Sequence, residues 1–268
     1  MKKLMLVLLV LSMAVTANAA TVWNPAANGI SPPDVANWGD AANWTNEVPG
    51  VNDTKAVFNV NNAAECQITS AQTVKDLVQG DGGYGSVIRI TNSATFSTTG
   101  GWTGIGYNNT AHLIVETGAA MNIAGHLWTG IYSGATSTID ISGLVSVGGN
   151  LGIGSINAVS AGGGAGTINV LDGGVLALDH WNGDGNGSIQ AGSLIDINGT
   201  GTITLQGDWV NSVDNYIAND RLAGNGIIGN VDATFTNGVT TITAVPEPLT
   251  MSLLGLGGMF IVRRRRSN

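Results

Sequence analysis

The amino-acid sequence predicts an all-β protein whose body is a single-stranded parallel β-helix of about five coils, each 25–29 residues long. Three observations support this fold class: a repeat with a nearly constant period, alternation of apolar and polar residues within each repeat, and 40 glycines that supply turns. The expected hand of the coil is right-handed. Units of this kind bury their apolar side only against neighbouring units, so repetition itself builds the core.

The repeat is marked by an apolar anchor residue in each unit. The anchors recur at nearly equal intervals and lie at Ile90, Val115, Ile141, Val170 and Ile197. At four of the five anchors a polar residue separates two apolar ones, as in Ile139-Asp140-Ile141, and this period of two indicates strands with one buried face. The period is too short for a propeller blade, and the leucine frame of leucine-rich repeats is missing.

The chain starts with a secretory signal peptide, predicted for residues 1–19. A basic start, Met1-Lys2-Lys3, precedes an apolar stretch from Leu4 to Val15 and the small-residue cleavage pattern Ala17-Asn18-Ala19. This order is typical of exported proteins, and the apolar stretch is short for a permanent anchor. We therefore expect a signal peptidase to release a mature chain that begins near Ala20, outside the cytoplasm.

Residues 20–65 are predicted to cap the amino-terminal end of the β-helix. The segment contains three tryptophans and four prolines and does not follow the period of the repeats. An uncovered solenoid end exposes unpaired strand edges and an open core, so a covering segment is expected there. Its stretch NWTNEVPGVNDTKAVF resembles a pattern that often precedes β-helix repeats in bacterial secreted proteins.

Residues 66–244 are predicted to form the β-helix, and their tryptophans raise the question of a binding surface. The matching stretches GGWTGIGYN and HLWTGIYSG place two tryptophans one coil apart, and later coils carry two more, so that the set is Trp102, Trp128, Trp181 and Trp209. An exposed column of indoles can stack on sugar rings, because each indole offers an apolar ring face and an N–H group that can donate a hydrogen bond. Indoles that point inward or sit at corners are packing residues, and packing is the favoured interpretation.

The best catalytic candidates are Asp140 and Asp196, predicted to share an outward position two coils apart with Asn169 between them. A coil spacing of about 4.8 Å puts their backbones about 9.6 Å apart, near the upper end of the range for inverting glycoside hydrolases. Parallel β-helices host polysaccharide lyases and hydrolases, but a fold alone confers no activity. Arg89, the one candidate lyase base, is expected to lie far from any carboxylate cluster. The chain is therefore predicted not to be an enzyme.

One stretch suggests a metal site. NGDGNG places Asn182, Asp184 and Asn186 at alternate positions, which resembles the front half of an EF-hand-type calcium loop. The bidentate acid expected six residues after the last glycine of this stretch is replaced by Ser193. A turn between strands is the favoured interpretation, and neither a metal nor another cofactor is predicted.

The charge of the mature segment restricts its partners. Residues 20–245 contain four basic and seventeen acidic side chains, which gives a net charge near −13, compared with −8 for the whole chain. Phosphate backbones require clustered lysines and arginines, so nucleic acid is excluded as a partner class.

Residues 245–268 form a tail of three parts. The triplet Pro246-Glu247-Pro248 is followed by a mostly apolar stretch at 249–262 and then by Arg263, Arg264, Arg265 and Arg266. Fourteen residues are short for a stable membrane span, and the arginines are expected to stay cytoplasmic. This order is very similar to the PEP-CTERM sorting signal of bacteria that make exopolysaccharide. The resemblance implies transient anchoring in the inner membrane, recognition by an exosortase, and removal of the tail near the triplet.

Together these features predict an exported structural or adhesive protein at the cell surface or in an extracellular polysaccharide matrix. Signal peptidase and exosortase are the expected processing enzymes, and exopolysaccharide is the candidate partner. Two alternatives stay open: a glycan-binding module that uses the four tryptophans, and a polysaccharide-degrading enzyme that uses Asp140 and Asp196.

Overall fold

Parallel strands stacked in register define the architecture. The computed structural model describes residues 20–31, 34–51, 55–61, 64–82, 85–91, 93–154, 163–181 and 188–246. These residues form a β-solenoid of about six turns, which confirms the predicted fold class. The predicted signal peptide at 1–19 lies outside the described residues.

The strands follow one another with short connections. The first six are β1 (Thr21–Val22), β2 (Val35–Asn37), β3 (Ala56–Phe58), β4 (Glu65–Ile68), β5 (Gln72–Val74) and β6 (Leu77–Gln79), with 3₁₀ turns at Pro25–Asn28 and Ala41–Asn43. The repeats comprise β7 (Ser86–Ile90), β8 (Thr95–Thr98), β9 (Trp102–Ile105), β10 (Ala111–Val115), β11 (Ala120–Ile123), β12 (His126–Thr129), β13 (Thr136–Ile141), β14 (Leu144–Ile153), β15 (Ala165–Val170), β16 (Val175–Trp181), β17 (Leu194–Ile197) and β18 (Thr202–Gln206). The last elements are α1 (Val210–Ala218), β19 (Leu222–Gly224), β20 (Ile227–Ile228), β21 (Val231–Thr236) and β22 (Val239–Ala244).

Each repeat contributes strands to three faces of the solenoid. The first face is a nine-stranded sheet in the order β2-β4-β7-β10-β13-β15-β17-β19-β20. The second and third faces belong to one thirteen-stranded sheet, because β14 and β16 are long enough to run through both. Residues 144–147 of β14 pair with β11 on the second face, and residues 151–153 pair with β12 on the third.

The anchor residues form one column inside the first face, as the sequence predicts. Each pairs in register with the anchors of the turns below and above it, and all are fully buried. The column also continues past the predicted repeats, to Ile68 before them and to Gly224 after them. The stack therefore has more turns than the five coils predicted from the repeats alone.

The chain passes from the second face to the third at a column of glycines. The amide of His126 donates to the carbonyl of Gly101 at 3.1 Å, and the amide of Gly149 donates to the carbonyl of Gly125 at 2.8 Å. A Cβ on Gly125 would lie 2.6 Å from Gly101 Cα, whereas a Cβ on Gly101 would have no atom within 4 Å. Neighbouring backbones approach so closely at this corner that position 125 requires glycine.

The segment 20–65, expected to cap the solenoid, also extends its sheets. β1 pairs in parallel with β3, and β2 pairs in parallel with β4, so the segment contributes strands to both sheets. Its aromatic side chains are buried and pack on one another in edge-to-face, stacked or tilted pairs, with ring centroids 4.7–6.0 Å apart. We call this group the aromatic plug, and its members are Trp23, Trp38, Trp44 and Phe58. The plug fills the amino-terminal end of the core.

The opposite end is closed by elements that run against the repeat. β22 pairs antiparallel with β18, β21 pairs antiparallel with β22, and β20 pairs antiparallel with β19. Helix α1 buries Val213 and Tyr216, and the Tyr216 ring lies 4.7 Å from that of Trp181 in an edge-to-face contact. The carboxyl-terminal part of the predicted range 66–244 is therefore a closing unit rather than a further parallel coil.

No helix among the described residues is long and apolar enough to cross a membrane. The apolar stretch at 249–262, which the sequence predicts to enter the membrane, lies outside the described residues.

Candidate functional site

The two catalytic candidates lie on the outward side of the first face. Asp140 pairs in register with Asn169, and Asn169 pairs with Asp196, so the predicted spacing of two turns is confirmed. Two turns correspond to about 9.6 Å between the backbones. This arrangement follows from the alternation of the strands, because each of these residues precedes a buried anchor.

Both carboxylates are used in bonds between turns. The two oxygens of Asp140 are engaged separately: Asn169 Nδ2 donates to Oδ1 at 2.7 Å, and a hydrogen bond of 2.7 Å joins Oδ2 to Nε2 of His112. Asp196 accepts a hydrogen bond from the amide of Gly226 at 3.1 Å. Asp140 thereby joins three successive turns, and Asp196 separately joins the next turn to the closing unit.

Arg89 lies on the same face within a cluster of carboxylates, so the expectation that it lies far from such a cluster is wrong. Its guanidinium donates to both oxygens of Glu65, at 2.6 and 3.2 Å, and to Glu116 at 3.3 Å. Glu65 belongs to the turn before Arg89 and Glu116 follows the strand of the turn after it, so both contacts run diagonally across the face. The forked contact with Glu65 lowers the pKa of that carboxyl and raises the pKa of Arg89.

This ion pair predicts a stability that depends on pH. Because the pKa of Glu65 is lowered in the folded state, the pair stabilises the fold above the ordinary value near 4.5 and loses its effect as the pH falls through the lower folded value. We expect a double-mutant cycle of Glu65→Gln and Arg89→Met to give a coupling energy of about 1 kcal/mol at neutral pH and almost none at pH near 2. Urea unfolding at the two pH values measures it. Equal coupling at both would contradict the assignment.

A shallow cavity of about 470 Å³ opens beside Arg89 on this face. Its lining combines charged, hydroxyl and apolar side chains, namely Arg89, Ile114, Glu116, Thr117, Asp140, Ser142 and Leu171. Such a lining can hydrogen-bond hydroxyl groups of a ligand. Asp196 is not among the lining residues, so the two catalytic candidates share a register position but not this cavity.

The four predicted tryptophans do not share one register position. Trp102 pairs with His126, while Trp128 pairs with Gly104 and Gly152, so the two indoles are offset along their strands. Trp128 is buried, and Trp181 belongs to the hydrophobic core. Trp209 is half-buried beside Trp181, at a ring distance of 6.3 Å. Glycan binding by the whole set stays a prediction, and the two buried indoles are packing residues.

Two tyrosines form an aromatic surface that the sequence reasoning missed. The rings of Tyr107 and Tyr132 lie 4.8 Å apart on neighbouring turns, and that of Tyr107 lies 5.3 Å from that of Trp102. A hydrogen bond of 3.3 Å between the two hydroxyls raises the pKa of Tyr107 to about 12. Tyr132 is 42% exposed. We call Trp102, Tyr107 and Tyr132 the aromatic edge; its signal is the tyrosine that follows each Trp-Thr-Gly stretch.

The metal candidates Asn182, Asp184 and Asn186 lie outside the described residues. Within the part of the chain that the structure describes, no group of three or more His, Cys, Asp or Glu side chains is placed to hold a metal ion.

The residue before the sorting triplet is hydrogen-bonded to the closing unit. Val245 donates its amide to the carbonyl of Asn230 at 3.0 Å, and its own carbonyl accepts from Asn230 Nδ2 at 3.1 Å and from Asn225 Nδ2 at 3.4 Å. Pro246 is exposed and is the last described residue. The other predicted signal residues lie outside the described range: Glu247, Pro248, Arg263, Arg264, Arg265 and Arg266.

Fold and chain end together define a β-solenoid with a sorting tail. The family described as the PEP-CTERM protein-sorting motif matches residues 244–266, which include the triplet and the arginine cluster. No curated protein and no solved structure matches the chain. The motif implies an exported protein that is held at the membrane and sorted by an exosortase.

Proposed function

We propose that this solenoid is a non-enzymatic structural or adhesive element of the cell surface or the extracellular matrix, delivered there after an exosortase acts on its tail. The observation that carries the proposal is the use of Asp140: both of its carboxylate oxygens are bonded to side chains of neighbouring turns. A general acid or base needs a free position beside the proton that it transfers. Here the carboxylate joins turns of a stack instead.

A complementation experiment distinguishes the structural role from catalysis: cells that lack the protein receive either the natural chain or a variant without the two candidate carboxylates. We expect the variant Asp140→Asn/Asp196→Asn to restore matrix cohesion as well as the natural chain does, because amides preserve size and some of the bonds. Release of reducing ends from the exopolysaccharide of the host is measured in parallel. Reducing ends released by the natural chain but not by the variant would overturn the proposal and favour the hydrolase.

Delivery of the protein to the cell surface is tested by a substitution in the sorting triplet. We expect Glu247→Ala to accumulate in the membrane fraction with its tail intact, while the natural chain reaches the surface or the medium in a shorter form. Glu47→Ala, which changes an exposed glutamate near the other end, is the matched control and is expected to be sorted normally. An unchanged distribution of Glu247→Ala would show that the triplet is not read.

A second candidate function is glycan binding at the aromatic edge, and the exposure of Tyr132 supports it. Aromatic side chains offer apolar faces for sugar rings and hydroxyls for hydrogen bonds. The net charge of the mature segment, near −13, disfavours polyanions, so a neutral polysaccharide fits this surface best.

The binding candidate predicts a local effect. Tyr132→Ala is expected to weaken binding of a neutral exopolysaccharide from the host by about tenfold, since one stacked aromatic residue contributes on the order of 1 kcal/mol or more. Phe235→Ala is the control, because Phe235 has a similar exposed fraction of 44% and lies at the end of the solenoid. Tryptophan fluorescence follows the titration. Equal affinities of the two variants would rule out the aromatic edge.

A further inference from the structure

The end of the solenoid from which the tail leaves exposes an unusual share of apolar side chains. Eight large hydrophobic residues are exposed in the described part of the chain, and four of them lie at this end. Their exposed fractions range from 38% to 53%. We call this group the exit face, and its members are Ile227, Ile228, Phe235 and Val245.

The topology places these residues on the last strands of the stack. β20, which carries the two isoleucines, ends the nine-stranded sheet, and β21, which carries Phe235, ends the thirteen-stranded sheet. Val245 is fixed beside them, because its backbone bonds to Asn225 and Asn230 on either side of β20. The apolar side chains and the point where the tail departs therefore lie at the same end.

The length of the tail restricts how far this end can stand from a membrane. The chain from Val245 to the start of the apolar stretch at Leu249 spans at most about 14 Å when fully extended. The interfacial layer of a bilayer is about 5–8 Å thick on each side. Fourteen residues reach about 21 Å in helical form, less than the hydrocarbon thickness of about 30 Å, so both flanks are drawn toward the bilayer.

We infer that the exit face rests on the lipid interface while the protein is held by its uncut tail, so that Ile227, Ile228 and Phe235 insert at the headgroup boundary. The tail makes this contact intramolecular, which allows a small apolar patch to stay docked. Asp232 is also exposed on β21, so neutral headgroups favour the contact and anionic ones oppose it. This inference rests on the sorting motif and not on the proposed surface role.

The docked face can be measured with a single fluorophore. The only cysteine, Cys66, is fully buried and its pKa is raised by burial, so a thiol label added elsewhere is selective. Ile228→Cys in the chain of residues 20–268, which keeps the tail and lacks the predicted signal peptide, is labelled with a polarity-sensitive dye and reconstituted in phosphatidylcholine vesicles at less than one chain per vesicle. Val35→Cys is the matched control, because Val35 is 48% exposed on β2 at the opposite end.

We expect iodide quenching of the label at position 228 to fall by about tenfold in vesicles, with a blue shift, since burial of side chains of this size shifts a docking equilibrium by at least that factor. The label at position 35 is expected to be unaffected. Adding Ile227→Ser and Phe235→Ser to Ile228→Cys is expected to restore quenching, although the chain still floats with the vesicles.

Four results would overturn the inference. Equal quenching at positions 228 and 35 in vesicles would show that the exit face stays in water. Protection of the label at position 228 from iodide in the absence of lipid would show that the tail of the same chain covers the exit face. Protection only at high protein-to-lipid ratios would show that a second copy of the protein covers it. Failure of the 20–268 chain to float with the vesicles would remove the anchoring by the tail on which the contact depends.

Discussion

Gly125→Ala is expected to destabilise the solenoid by about 3 kcal/mol and to lower its melting temperature by roughly 10 °C. The added Cβ would meet only backbone atoms, with Gly100 O and Gly101 Cα both at 2.6 Å, so no side chain can rotate out of the way. Relief requires that two neighbouring turns move apart, which stretches the hydrogen bonds of that corner. Thermal unfolding followed by circular dichroism measures the loss.

Gly101→Ala provides the matched control, since it changes the same corner one turn earlier. Its Cβ would have no atom within 4 Å, and the substitution reduces the conformational freedom of the unfolded chain. We therefore expect a neutral effect or a stabilisation of up to about 1 kcal/mol. A similar loss in both variants would mean that glycine flexibility, rather than the close approach of backbones, decides stability at this corner.

Trp38→Ala is expected to cost about 3–5 kcal/mol, because it empties the centre of the aromatic plug. The Trp38 ring is fully buried and contacts Trp44, Phe58 and Phe96, at centroid distances of 4.7, 6.0 and 5.0 Å. Phe96 lies on β8, on the second face two turns after that of Trp38, so the loss extends from the plug into the stack. Urea unfolding measures it as a shift of the midpoint.

Trp38→Phe separates packing from polarity in the same position. The indole nitrogen of Trp38 is buried, and no described residue accepts a hydrogen bond from it. Phenylalanine keeps most of the ring contacts and removes that unsatisfied group, so we expect a loss of only about 1 kcal/mol. A loss as large as that of Trp38→Ala would show that the full indole volume is required.

The parallel repeats were predictable because their information is periodic. Four of the five anchors follow a polar residue that itself follows an apolar one, and stacking in register then results from burying one column of anchors. The ends were less predictable. β1 and β2 are only two and three residues long, and the plug segment has no period, so its strands give no signal of their own. Before β22, the dipeptide Asn237-Gly238 has positive φ at both residues and is typical of a two-residue hairpin, so the antiparallel pairing of β21 with β22 was predictable. The antiparallel pairing of β22 with β18 was not, because no local turn joins those two strands.

In the candidate site, too, the periodic features were predictable and the non-periodic ones were not. The register of Asp140 and Asp196 was predictable because each lies at a fixed offset from an anchor. The contacts of Arg89 were not, because Glu65 and Glu116 lie diagonally across the face. The offset between two of the tryptophans was not predictable either: Trp102 pairs with His126 and not with Trp128, so the coil at that point is shorter than the interval between the two matching stretches.

The position of the aromatic plug has a consequence for biogenesis. An exported chain crosses the membrane with its amino-terminal part first, so residues 23–58 are outside before any repeat has followed them. The plug can then close one end of the core and offer a finished strand edge, on which each emerging coil is templated in turn. Assembly of this kind runs in step with translocation and needs contacts over only one or two coils at a time. The residues still held at the membrane are the last to be needed, since the described core ends at Ala244.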